Sequence, residues 1–265
     1  MIKITSACNG CGICEALCPA KAVAVREGKA FVDETVCIGC LQCACGCGAG
    51  AVETGLPIAG GVYSSPLDKI VKTRRSCRCF AKEAPSSSLD GILAEAVAAC
   101  PSALNGKTVR IRLIRDKKTI SAVSKKVAGL VCFLVFLASL PIVSFFVKAV
   151  FKKNYPLMIN YGRILSAEED RVFFNAPCLA LVTYKKGAVM GEWDGHIAAH
   201  TCVLLLEEMG YSSCYIGVAK PFLALPSLKK MTGIGLDESV AACFVFGKPL
   251  YKYHRQFAWG KNDEI

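Results

Sequence analysis

Apolar positions recur along the chain with periods that predict its elements. Ala22-Val23-Ala24-Val25 and Lys29-Ala30-Phe31-Val32 flank Glu27-Gly28, the pattern of a short hairpin. Ser65-Pro66 supplies an N-cap and a first-turn proline for a helix over Leu67 to Thr73. Ser88 stands before Leu89, Ile92, Leu93, Ala96, Val97 and Cys100, a helical stripe that stops at Pro101. Val109 to Leu113 alternates as a strand, Cys178 to Tyr184 is an apolar strand, and Ser239 to Gly247 reads as a buried one. Before the last of these a helix is expected from about Trp193 to Met209, closed by Gly210.

Val127 to Val147 is different in kind: 21 residues without a charge, flanked by Lys125-Lys126 and by Lys148, Lys152 and Lys153. Its length alone makes it a transmembrane candidate. A single span would put the strands Val109 to Leu113 and Cys178 to Tyr184 on opposite faces of a bilayer, although they must join one sheet. Pro141 also breaks the run into pieces too short to span separately. The expectation is an apolar helical insertion at about 119–160 that acts as a substrate lid or dimer helix. Peripheral membrane attachment, helped by the flanking lysines, is the less favoured alternative.

The cysteines change the picture. Seventeen in 265 residues would suggest disulfides in a short secreted chain, but the sequence begins Met1-Ile2-Lys3-Ile4 without an apolar signal region, so a reducing, cytoplasmic setting is expected. Nine of the seventeen lie between Cys8 and Cys47, and such local crowding points to metal or cluster ligation. Cys8, Cys11, Cys14 and Cys18-Pro19 form C-x2-C-x2-C-x3-C-P; Cys37, Cys40, Cys43 and Cys47 repeat the spacing with Gly48 in place of proline. Structural zinc would need two C-x2-C pairs per site and leaves the third cysteine and the x3-C ending unexplained.

Both runs resemble bacterial two-cluster ferredoxins. There, three close thiolates hold one cubane while the fourth cysteine, at the start of a short helix, reaches the other cluster. The resemblance implies one 4Fe-4S cluster on Cys8, Cys11, Cys14 and Cys47 and another on Cys37, Cys40, Cys43 and Cys18, with Cys45 left over. It implies a ferredoxin domain over 1–57 and a linker over 58–65 that includes Ala59-Gly60-Gly61.

Beyond the linker, Arg74-Arg75-Ser76-Cys77-Arg78-Cys79-Phe80 gathers three guanidinium groups and a hydroxyl suited to a phosphate. It resembles the R-R-S-x-R-x-[YF] segment of nitroreductase-family domains, which grips FMN. Pro101-Ser102-Ala103-Leu104-Asn105-Gly106-Lys107 resembles the family's P-S-A-x-N-x-Q-P-W segment, with Asn105 matching, Lys107 in place of glutamine, and the proline-tryptophan pair missing. A cation at Lys107 would favour the anionic edge of reduced flavin. Asn175-Ala176-Pro177 before its strand and Tyr211-Ser212-Ser213-Cys214-Tyr215-Ile216-Gly217 also match family stretches, the latter implying that main chain at Ile216 and Gly217 approaches flavin N5. Lys248 to Arg255 resembles the family's tail, with Arg255 as a further phosphate ligand. His196 and His200 have a metal-compatible spacing but no evident third ligand, and read as ordinary helix residues.

The resemblances together imply an α+β fold: a small ferredoxin-like domain, then a nitroreductase-like mixed sheet flanked by helices over 66–265, as an intertwined homodimer. They imply an FMN-dependent oxidoreductase fed by a low-potential donor such as ferredoxin and reducing a nitro, quinone or activated-alkene acceptor. An electron-transfer module serving a partner protein and a different flavin chemistry such as reductive dehalogenation stay open. The net charge of +11 lacks the aromatic interleaving of a nucleic-acid surface, so no nucleic acid is expected.

Overall fold

The computed structural model describes residues 2–58, 63–166 and 169–257. The expected linker at Ala59-Gly60-Gly61 lies outside them. In chain order the elements begin β1 (Lys3–Ile4), α1 (Ile13–Leu17), β2 (Val23–Arg26), β3 (Lys29–Val32), α2 (Gln42–Gly46) and β4 (Val52–Glu53). There follow α3 (Pro66–Thr73), α4 (Leu89–Ala99), β5 (Val109–Ile114), α5 (Lys117–Ser139), α6 (Pro141–Phe151) and α7 (Tyr155–Leu165). The remainder is β6 (Cys178–Lys185), α8 (Gly191–Glu208), β7 (Ser212–Tyr215), α9 (Pro226–Thr232) and β8 (Glu238–Gly247).

Two compact units result, and neither is continuous in sequence. One comprises Met1–Ser64, Val131–Ser166 and Tyr251–Ile265; the other comprises Ser65–Leu130 and Ala167–Leu250. The second half of the apolar insertion and the C-terminal tail therefore group with the cysteine-rich segment, not with the residues that flank them in the chain.

In the first unit, β2 and β3 pair antiparallel with Arg26 opposite Lys29. Glu27 (φ 49) and Gly28 (φ 74) form the two-residue turn whose left-handed residues match strand twist. Gly10 lies against that turn: a Cβ there would sit 2.5 Å from the Gly28 carbonyl oxygen, so the first cysteine loop can approach only as glycine. The two cysteine runs fold alike. Each enters its helix through a left-handed residue, Gly12 (φ 77) or Leu41 (φ 58), and leaves it through an extended cysteine, Cys18 or Cys47. The fourth cysteine of each run thus closes a helix, where the sequence reading had it open one.

The insertion is helical from Lys117, two residues before its expected start, and continues to Leu165. Pro141 ends α5 as expected, with Leu140 extended (ψ 142) because the residue before proline is excluded from helical backbone. The α7 helix folds back on α5 where Gly162 meets Val135. Asn160 Nδ2 donates to the Ala20 carbonyl at 3.2 Å, fastening α7 to the cysteine-rich segment.

The second unit is built on a four-stranded sheet in the order β5-β6-β8-β7. Strands β6 and β7 run parallel, as a crossover through α8 requires, but β8 lies between them and runs opposite to both. Every hydrogen-bonded pair in this sheet is consequently antiparallel, and the mixed pairing expected for it is absent among the described residues. Helices α4 and α8 bury Leu93, Val97, Ala198, Cys202 and Leu206 against Phe244 and Phe246. Gly195 sets the depth of α8, since a Cβ there would stand 2.3 Å from that of Ala241 on β8.

Local signals held where they were chemical. The Ser65 hydroxyl accepts the Asp68 N–H at 3.1 Å, and Gly210 (φ 79) closes α8. Ser88 precedes α4 but makes no side-chain cap; the Leu89 N–H goes to the Ser86 carbonyl instead.

Candidate functional site

Two arrangements carry chemistry, one in each unit. In the first, Cys8, Cys11, Cys14 and Cys47 line one cavity, together with Gly10 and Gly12. Cys18, Cys37, Cys40 and Cys43 line a second. Each cavity draws three cysteines from one run and the fourth from the other, because α1 and α2 pack so closely that a Cβ on Gly46 would lie 2.2 Å from Leu17 Cδ1. That contact swings the two helix-closing cysteines past each other. Cys45 is buried at 1% exposure and lines neither cavity.

Backbone amides reach the sulfurs: the Ala22 N–H lies 3.2 Å from Cys18 Sγ and the Ala30 N–H 3.4 Å from Cys8 Sγ. Hydrogen bonds from Gly10 and Ala30 lower the Cys8 thiol below its ordinary value. Burial acts the other way at Cys14, and pushes Cys43 up to about 12. Among the described residues no three His, Cys, Asp or Glu side chains converge tightly enough for a single metal ion.

The tail seals this unit. The Arg255 guanidinium donates to the carbonyls of Ala44 (2.9 Å), Val52 (3.3 Å) and Gly50 (3.3 Å), while the His254 and Arg255 N–H groups reach the Cys45 carbonyl. Arg255 was expected to bind a phosphate in the second unit. Its terminal nitrogens are instead engaged by carbonyls of α2, of the loop that follows it and of β4, which a planar fork satisfies well.

In the second unit the arginine segment runs along the edge of the sheet. The Cys77 N–H donates to the Ser213 carbonyl at 2.9 Å, continuing β7's pairing, and Leu250 and Ala81 add bonds between this segment and the end of β8. Arg74, Arg75, Ser76 and Arg78 are thereby brought to the Ser212-to-Gly217 stretch. Ser76 bonds the Cys214 thiol, and Arg78 lies 5.7 Å over the Phe174 ring. The Arg75 Nε is buried without a hydrogen-bond partner, as are Ser213 Oγ and one oxygen of Glu207. Burial raises Glu207 to about 7 even with Arg74 nearby, and raises Cys77 to about 12. Ile216 is buried with its N–H on the Cys243 carbonyl at 2.8 Å, and open space stands where a side chain on Gly217 would be.

The Pro101-to-Lys107 loop is at the other end of α8. Its Ala103 N–H is shared between the two carboxylate oxygens of Asp194 at 3.0 and 3.2 Å. Asp194 and Glu207 are thirteen residues apart on α8, roughly 20 Å at helical rise. Leu104 (φ 52), Asn105 (φ 52) and Lys107 (φ 48) are all left-handed, a strained stretch that the anchor maintains. A cavity of about 400 Å³ opens beside it, lined by Pro101, Ser102, Lys107, Arg110 and Asp194 among others.

Lys107 is also bound to the end of α4. Its ammonium donates to the Ala98 and Cys100 carbonyls at 3.0 and 2.9 Å, capping α4. The orphan carbonyls and negative end of a helix dipole are a nearer partner than a flavin edge. Sequence reasoning missed Asp194, whose position in the first turn of a helix signals only dipole compensation, and Glu207, which looks like an ordinary last-turn acid.

A model of the nitroreductase family matches residues 71–248. No curated protein matches the chain in sequence. Among solved structures, an FMN-bound nitroreductase from Desulfitobacterium hafniense DCB-2 is 20% identical, with 75% of this chain and 96% of that one covered at a TM-score of 0.55. One from Bacteroides fragilis NCTC 9343, also with bound FMN, is 17% identical over 70% of this chain and 89% of that one, again at 0.55. An iodotyrosine deiodinase bound to FMN and 3-iodo-L-tyrosine is 18% identical over 75% and 96%, at 0.51. These likenesses establish the shared fold.

Proposed function

The chain belongs to the nitroreductase family, and on that premise we propose that it is a cytoplasmic iron-sulfur flavoprotein oxidoreductase. In this reading the cysteine-rich unit is a two-cluster ferredoxin module and the second unit binds FMN. Electrons from a low-potential donor such as ferredoxin are delivered to a small nitro, quinone or activated-alkene acceptor.

The observation that carries the reading is the exchange of one cysteine between two otherwise separate cavities, Cys47 into the first and Cys18 into the second. Four thiols lining one hollow, three from one run and the fourth from the other, suit a polynuclear cluster that takes one thiolate per iron. The amides on Cys8 and Cys18 would stabilise ligated thiolates, and Cys43 would release its proton on ligation. For FMN, the fit rests on Arg75: a buried guanidinium nitrogen without a partner, beside Arg74 and Arg78, suits a phosphate. Asn105 would hold the polar edge of the ring, and the strained loop would fix its direction.

FMN supplies the exchange between single electrons and a hydride pair. The protein's part is to bind phosphate through the arginine segment, to present main chain at Ile216 and Gly217, and to shield the ring. The arginine segment and the Asn105 loop lie at opposite ends of α8, whose outer face exposes Trp193 (69%) and Ile197 (47%). Two copies of α8 packed antiparallel across a two-fold axis would cover that stripe and bring one copy's arginines toward the other's loop, which supports a homodimer.

Anaerobic purification with iron, sulfide and flavin analysis tests this, followed by stopped-flow reduction by a reduced ferredoxin and reoxidation by a nitroaromatic. About eight iron and one FMN per chain, with the flavin reoxidised by the nitro compound, is the expected result. Iron without flavin would overturn the reductase and leave a carrier; flavin without iron would overturn the cluster assignment.

A further inference from the structure

We propose that the insertion docks the protein on an anionic phospholipid membrane, with the exposed apolar faces of α5 and α6 seated at the boundary between headgroups and acyl chains. The proposal depends on neither the clusters nor FMN.

The second half of α5 exposes Phe133 (57%), Leu134 (51%) and Phe136 (60%), and α6 exposes Ile142 (78%), Phe145 (72%), Phe146 (64%) and Val150 (74%). On α6 these last four fall on one helix face, while Ser144 on the opposite side is buried. That is the pattern of a helix lying in an interface plane. So many large apolar side chains exposed on two neighbouring helices are foreign to a face bathed in water.

The charge favours a negative surface. The part of the insertion that carries these faces, residues 131–166, holds Lys148, Lys152, Lys153 and Arg163 and no aspartate or glutamate. Like charge sets it against a second copy of itself and draws it to a negative sheet. Lys148 lies 5.2 Å over the Tyr155 ring, held at the flank of α6 where a headgroup phosphate would meet it.

The depth follows from helix lengths. At 23 residues α5 is long and apolar enough to cross a bilayer, but its first half packs into the second unit through Ile120, Val123 and Val127, all 3% exposed or less. On either side of Leu140 about 16 Å of helix keeps an exposed outer face, roughly half a hydrocarbon core in length. The insertion therefore enters one leaflet and does not span.

The test is flotation of the full-length protein with vesicles of phosphatidylcholine alone or mixed with phosphatidylglycerol. The wild type is expected to float with the mixed vesicles and much less with the neutral ones. Phe145→Glu combined with Phe146→Glu should abolish flotation with an unchanged circular dichroism spectrum, since both rings face outward. Lys148→Glu with Lys152→Glu should weaken binding to the mixed vesicles by roughly tenfold or more. Absence of binding to any vesicle, or binding indifferent to the phenylalanine pair, overturns the proposal. So does a fall in solution mass on making the phenylalanine changes, which would mean that a second copy covers this face.

Discussion

Replacing Asp194 by alanine tests whether the loop that presents Asn105 is held from α8. The carboxylate is 7% exposed and its one backbone partner outside the helix is the Ala103 N–H, shared at 3.0 and 3.2 Å. A hydrogen bond to a charged group contributes about 1.5–3 kcal/mol. The loop it holds has three residues in left-handed backbone, Leu104, Asn105 and Lys107, each unfavourable by about 1 kcal/mol. Without the anchor the loop is therefore free to relax. If the full loss falls on the bound state, FMN affinity drops by roughly 10- to 150-fold, since 1.4 kcal/mol is a factor of ten. Titration of apoprotein with FMN, followed by quenching of flavin fluorescence, measures it. Asp194→Asn keeps an oxygen acceptor and should fall between wild type and alanine. An alanine variant that melts earlier yet binds FMN within about twofold of wild type would refute the reasoning and leave Asp194 a purely structural tether.

Lys107→Ala removes two bonds to the end of α4 and should lower stability to denaturant by about 1 kcal/mol, while FMN titration stays at the wild-type value. Gly195→Ala forces a methyl to within 2.3 Å of Ala241 Cβ and should cost about 1–3 kcal/mol, read as a lower denaturation midpoint. Glu207, raised by burial to about 7 from an ordinary 4.5, binds a proton more tightly folded than unfolded. Its contribution is thus fully present below about pH 4.5 and declines as pH rises toward 7. Glu207→Gln should flatten the stability profile across that window, and an unchanged slope would show the side chain to be solvated. Arg255→Ala should free the tail from the Ala44, Gly50 and Val52 carbonyls, measured as faster proteolysis near the C-terminus with no change in FMN affinity.

The sequence made the elements legible wherever one residue type carried a local physical demand. Pro141 cut the apolar run, Gly210 ended α8, and Glu27-Gly28 made the hairpin, because each acts through its own backbone. The arginine segment was legible as a cation cluster, and Cys77's bond to Ser213 accounts for its meeting β7. What sequence could not supply was competition between partners. Lys107 and Arg255 both read as anion ligands, and both donate instead to main-chain carbonyls, Lys107 at the end of α4 and Arg255 at Ala44, Gly50 and Val52. Those acceptors exist only once α4 and α2 have formed and their chain neighbours have turned away. The antiparallel sheet was hidden for a related reason: β7 was expected as a flavin-contacting stretch, and nothing in its four residues tells that β8 will enter between it and β6.

The division of the chain carries the same lesson further. The resemblances imply a small domain over 1–57 followed by a large one over 66–265, yet the cysteine-rich unit also claims Val131–Ser166 and Tyr251–Ile265. Phe257 is 5% exposed within its core, and Asn160 bonds the Ala20 carbonyl two residues beyond Cys18. A chain cut at residue 64 would therefore lose the partner of α7 and of the tail, leaving Phe257 and one face of the insertion in water along with the apolar faces already exposed. The cysteine-rich unit cannot complete its core until Phe257 has been made. A fragment spanning only 65–265 keeps the insertion and the tail without their cysteine-rich partners and should aggregate even with FMN present. Its recovery as a soluble flavoprotein would show that the shared segments contribute little to either unit.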